Sequence, residues 1–156
     1  MDAACKLSEP PQLRTLRRVI PVVQTQERAG WAITCIAAEA YDEGFRITLR
    51  VYGEGKAPNA DLALRVRDDR ENDYHLWTGG GSGEPTTGAC DWRLSFECAL
   101  RLDPTSRELS ISVDEVSSSE YDLQLHRLVT KQVDRGPWTF LAPLPRQSID
   151  ESPLPS

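Results

Sequence analysis

A chain of 156 residues is long enough for one domain with a core of its own. Its net charge of −6 excludes a nonspecific grip on nucleic acid or an anionic membrane surface, which needs a basic excess. Hydrophobic residues make up only 39%, and the shortfall sits at the two ends. Residues 1–14 and 146–156 are rich in Pro, Ser and charge with no apolar period. They are expected to be a flexible N-terminal tail and a disordered C-terminal tail around a domain of residues 15–145.

Residues 16–23 open that domain. Their β-branched end suits a strand, and Pro21 inside the run predicts an edge position or a bulge. Residues 31–41 follow a turn at 28–30. The short turn Asp42, Glu43, Gly44 then predicts a hairpin with residues 45–52. Phe45, Ile47, Leu49 and Val51 alternate with polar residues, as do Leu62, Leu64 and Val66. The acidic run at 68–73 is turn chemistry, with a short returning strand at 74–77.

The segment 77–92, WTGGGSGEPTTGACDW, is expected to be a long mobile connection. Alternation resumes at Trp92, Leu94, Phe96 and Cys98, and again at Leu109, Ile111 and Val113. The serines 117–119 suit a loop. Residues 121–133 mix a period of two at the start with helical spacing later, and leave helix or strand open. Residues 138–141 read as a closing strand. Seven or eight strands with turns between them predict an all-β fold, an antiparallel two-sheet sandwich, with a small closed β-barrel as the alternative.

The order of strands resembles that of immunoglobulin-like or fibronectin-type sandwiches. Phe96, Glu97 and Cys98 are similar to the Tyr-x-Cys around the second core cysteine of immunoglobulin domains, and the resemblance implies Cys35 as the first. The strand after Cys35 offers Phe45 and Tyr52 where those domains carry tryptophan. Over residues 16–143 the chain also resembles small uncharacterised bacterial β-sandwich proteins. There an RRVIPVVQT-like opening strand, a DEGF-like hairpin turn and a GPWTF-like closing strand frame the domain. These are framework features, and no activity comes with them.

Chemistry is sparsely supplied. A phosphate loop of the GxxxxGK[ST] kind needs its lysine, and none lies between Lys56 and Lys131. A dinucleotide loop needs a third glycine where Glu84 stands, with a helix behind it. Carboxylates at 69, 71 and 73 alternate as in a calcium loop, but Tyr74 and Gly80 occupy the positions that such a loop gives to Gly and Glu. No CxxC pair is present among Cys5, Cys35, Cys90 and Cys98. No cofactor or metal is therefore expected.

Two binding surfaces are open to consideration. Arg46, Arg50, Arg65, Arg67 and Arg93 occupy outward strand positions, and would share one face for an anionic partner if their three strands were neighbours in one sheet. Trp77 and Trp92 could form an aromatic patch at the base of the glycine-rich segment, or close the end of the core. Cys90 with His75 is the one conceivable catalytic pair.

The expected function is a non-catalytic binding or protein–protein interaction module, with another protein as partner and neither nucleic acid nor membrane. A structural or regulatory subunit of a larger bacterial assembly is the alternative, and an enzyme using Cys90 and His75 the third reading. With no apolar run of signal length near residue 1, the cytoplasm is the expected compartment.

Overall fold

A computed structural model describes residues 11–83 and 88–145. Nine strands run through them: β1 (Leu16–Arg28), β2 (Trp31–Tyr41), β3 (Gly44–Glu54), β4 (Asn59–Asp68), β5 (Asp73–Tyr74), β6 (Trp77–Gly83), β7 (Ala89–Cys98), β8 (Glu108–Asp122) and β9 (Arg127–Pro143). They form two antiparallel sheets, ordered β1-β2-β3-β7-β6 and β5-β4-β8-β9. The sheets face each other as a sandwich and do not close into a barrel.

Alternation along the strands decides what lies between the sheets. Phe45, Ile47, Leu49 and Val51 on β3 and Ile111 and Val113 on β8 are fully buried, and Phe96 and Val66 nearly so. Trp31, Trp138 and Phe140 add the largest buried rings. Leu64 packs at the margin of this core; opposite the Ala63 to Leu64 step Asp114 is an extra residue on β8, a bulge that lets both Val113 and Val116 face inward.

Pro21 does what a proline in a strand must. It sits on β1, the edge of the five-stranded sheet, beside a bulge where Val22 and Val23 oppose the single residue Ile36. Val23 takes a φ of 47°, unusual for a β-branched residue, and stands exposed. The next residue, Gln24, closes the seam between the sheets. Its side-chain amide donates to the Leu141 carbonyl (2.8 Å) and accepts from the Leu141 N–H (3.3 Å), as a paired strand residue would.

Several expectations need correction. Trp77–Gly83 is not a loop but β6, an edge strand paired to β7. Glycine fits closely there: a Cβ on Gly81 would lie 2.7 Å from the Leu94 side chain, and one on Gly83 would lie 2.7 Å from the Trp92 ring, so that either neighbour would have to shift. Serines 117–119 belong to β8, with Ser118 buried. Residues 121–133 are neither one helix nor one strand; they end β8, turn at 123–126 and begin β9.

The cysteine pair implied by the immunoglobulin resemblance also fails geometrically. Cys35 and Cys98 lie in the same sheet with β3 between them, facing Leu49 and Phe45 of that strand respectively, and both are free thiols. Most of the predicted tails, with Cys5, lies outside the described residues, but the chain is already tied down at Arg14. There the Arg14 and Thr15 N–H groups both donate to the Glu43 carboxylate, at 2.6 and 2.7 Å.

Candidate functional site

The five arginines do not share a face. Arg46 and Arg50 on β3 and Arg93 on β7 point outward from the five-stranded sheet, whereas Arg65 and Arg67 sit on β4 in the other sheet. These last two are engaged, Arg65 with Asp114 (2.5 Å) and Arg67 with Asp73 (2.7 Å). Arg46 is likewise committed. It donates from Nε and Nη2 to Glu97 (3.1 and 3.0 Å), approaches Glu39 (3.7 Å), and lies over the Tyr41 ring.

Arg50 and Arg93 make a different arrangement. They face each other directly across β3 and β7, a cross-strand like-charge pair that is unfavourable without a counter-charge. Asp91 supplies one, its charge acting on both guanidiniums while it accepts hydrogen bonds from Arg50 Nε (3.0 Å) and Nη2 (2.8 Å). The hydrogen bond from Arg50 holds the Asp91 carboxyl below the ordinary carboxylate range, and Asp91 in return raises the guanidinium. Ser82 of β6 stands opposite Arg93. Arg50, Ser82, Gly83, Asp91 and Arg93 line an open hollow of about 420 Å³.

The tryptophans lie apart. Trp77 pairs in register with Glu97 and Trp92 with Gly83, at opposite ends of β6. Trp92 packs against the core under the β6 glycines and donates its indole N–H to the Pro58 carbonyl. Trp77 stands edge-on to His75, with ring centroids 5.7 Å apart. No shared aromatic patch results.

Cys90 and His75 are separated as well. Cys90 faces Gly53 near the start of β7, whereas Trp77, beside His75, faces Glu97 near its far end. Seven residues of strand put the two regions roughly 23 Å apart. Cys90 is fully buried, and burial followed by the nearby Asp91 charge pushes its thiol up to about 11. That is the reverse of an activated nucleophile.

At the turn after β4, Asp68 gathers hydrogen bonds. Its carboxylate accepts from the Tyr74 hydroxyl (2.7 Å), the Ser106 hydroxyl (2.7 Å), the Asn72 amide side chain (2.8 Å) and the backbone N–H groups of Arg70 and Asn72 (2.9 and 3.0 Å). Among the described residues no cluster of three or more His, Cys, Asp or Glu side chains is arranged to hold a metal ion.

What the sequence did not single out is the tip of the β8–β9 hairpin. β4 follows β8 only as far as Ser119, which pairs with Asn59. Beyond that point the hairpin projects with no third strand among the described residues. Tyr121 and Leu128 pair across it, and Leu123 and Leu125 occupy the turn. All four are exposed, Leu123 at 79%. Val133, opposite Ser117, continues the apolar surface toward the sandwich. The signal lay in the ambiguity of 121–133 itself: apolar residues that fit no single period are those that no core has claimed.

The fold defines the class, an all-β antiparallel two-sheet sandwich. No family model matches the chain, and no curated protein is similar to it. It is similar to a solved structure described as the crystal structure of the conserved domain protein from Bacillus anthracis, with 17% identity and a TM-score of 0.60. The match covers 82% of this chain and 49% of that one, so the chain spans about half the length of that protein. At this identity the likeness concerns the fold. No helix of the described residues is long and apolar enough to cross a membrane.

Proposed function

We propose that this protein is a non-catalytic interaction module that docks another protein on the projecting tip of its β8–β9 hairpin. The carrying observation is the concentration of Tyr121, Leu123, Leu125 and Leu128, all exposed, on a hairpin that extends past its sheet. Apolar side chains scattered singly over a surface need no explanation, but a contiguous group does. Such a tip offers the apolar centre that a protein interface needs, and Arg127, Lys131 and Glu120 around it supply a polar rim.

A cytoplasmic setting is part of this reading. What supports it is the placement of Cys35, Cys90 and Cys98 as buried free thiols, which suits a reducing compartment. The absence of catalysis is likewise part of it, supported by the burial of Cys90 and its distance from His75.

Photo-crosslinking in cells of the source organism tests the reading. A benzophenone amino acid replacing Leu125 is expected to form one dominant adduct with another protein, while the same group replacing Glu71, at the far end of the sandwich, forms none. Equal labelling from both positions, or none from 125, would overturn it.

A further inference from the structure

The sheet edges differ in how open they are to a foreign strand. β1 carries Pro21 and a bulge, and meets β9 through the Gln24 side chain. Farther out, β9 presents Lys131, Arg135 and Pro137, with a register break at Lys131. β5 has two residues. Charges, prolines, bulges and brevity are the usual means of blunting an edge. β6 is the exception. It has seven residues, no charge and no proline, among the described residues only β7 pairs with it, and past the irregularity at Gly79 its register from Gly80 to Gly83 is unbroken.

The outer face beside that edge is basic. Ser82, Arg93 and Arg50 lie in one cross-strand row, and Asp91 engages Arg50. Arg93 is exposed and feels the Asp91 charge, but the two hydrogen bonds of that carboxylate go to Arg50. Ser82 and its flanking glycines are too small to screen it from the β6 side. A side chain on a strand laid along β6 would start about 5 Å from Ser82 and reach Arg93 across it.

We propose that β6 receives an added strand from an extended acidic segment of another protein, and that an Asp or Glu of that segment enters the hollow to pair with Arg93. Backbone hydrogen bonds along residues 80–83 provide the grip and the hollow provides the selection. Two guanidiniums against the Asp91 carboxylate leave one positive charge, which suits a single carboxylate better than a phosphate dianion. Arg93 presents the planar fork that a carboxylate fits. This surface belongs to the five-stranded sheet and the hairpin tip to the other, so the two proposals stand or fall separately.

The probe is a random dodecapeptide library displayed on phage and panned against the full chain. Enriched peptides are expected to be extended and to carry Asp or Glu. A synthetic copy of the winner should slow amide exchange at residues 80–83, should bind at least tenfold more weakly to Arg93→Glu, and should recover part of that loss with Arg93→Lys. Thermal unfolding of both variants checks that they fold. Enrichment without acidic residues, protection that falls elsewhere, or affinity indifferent to Arg93→Glu would overturn the proposal. So would protection of the same amides that rises with protein concentration alone, which would make the occupant a second copy of this chain.

Discussion

The two ends of the sandwich are built on opposite terms. At the end that holds the 69–72 turn, the polar groups gathered on Asp68 point inward and are matched, although the nearby Trp77 Nε1 is not. Asp68 collects Tyr74, Ser106 and Asn72, and the Tyr74 hydroxyl in turn accepts from the Asp103 N–H (3.1 Å). At the opposite end a similar lock stops at the root of the hairpin. There Trp31 donates its indole N–H to Asp134 (2.8 Å), and Lys56 lies over the Trp31 ring and against the same carboxylate (3.3 Å). Beyond that root the hairpin offers leucines to water. Polar closure marks where the fold is being held, and the unclosed apolar surface is where we propose that a partner docks.

The comparison is easiest to break at Trp31. The ring is 1% exposed and ties β2 to β9 of the facing sheet. Trp31→Ala should cost about 3–5 kcal/mol in urea unfolding, from the cavity and the orphaned Asp134 and Lys56. Asp68→Ala, at the other end, should cost about 1–3 kcal/mol by leaving buried donors without an acceptor.

The pH dependence of that end follows from the same groups. Burial alone would raise the Asp68 carboxyl, but the bonds from Asn72, Ser106 and Tyr74 overcome it and hold it well below the carboxylate range. A folded pKa below the unfolded value, near ~3.9, gives stability that is present above about pH 4 and lost as pH falls. Burial, with the bond to Asp68, raises the Tyr74 phenol. Its contribution is therefore present below the unfolded value of about 10 and lost as pH rises past it. Urea midpoints from pH 2 to 11 should show both limbs, and Asp68→Asn should flatten the acid one.

A smaller effect is expected at β6. Gly81→Ala should cost about 1–2 kcal/mol in the same assay, because its Cβ crowds Leu94 at 2.7 Å and overpacking strains a core. Leu125→Asp at the hairpin tip should change stability by less than about 0.5 kcal/mol, as surface substitutions do.

How far the sequence discloses this arrangement depends on where the information resides. Phe45 to Val51, Trp92 to Cys98 and Leu109 to Val113 carry their own alternation, so their strands and their common interior are legible locally. So is the bulged edge at Pro21, since proline removes a ladder donor wherever it stands. β6 carries no side-chain pattern of its own; its glycines are explained by Trp92 and Leu94 on the neighbouring strand. Arg65 and Arg67 alternate just as Arg46 and Arg50 do, and only the crossing from β3 to β4 between the two sheets separates them. Ser118 looks like loop chemistry until Gln132 and the buried end of β8 are placed beside it. At 121–133 the apolar residues belong to a surface, and a surface has no period to read.

The account rests on the hairpin tip serving recognition and not folding, and one sample can read both. A variant carrying Leu123→Asp and Leu128→Asp, with the benzophenone amino acid kept at position 125, is expected to keep the urea midpoint of the parent chain while losing the crosslinked protein. A midpoint that drops as it does for Trp31→Ala, with the crosslinked partner retained, would contradict it.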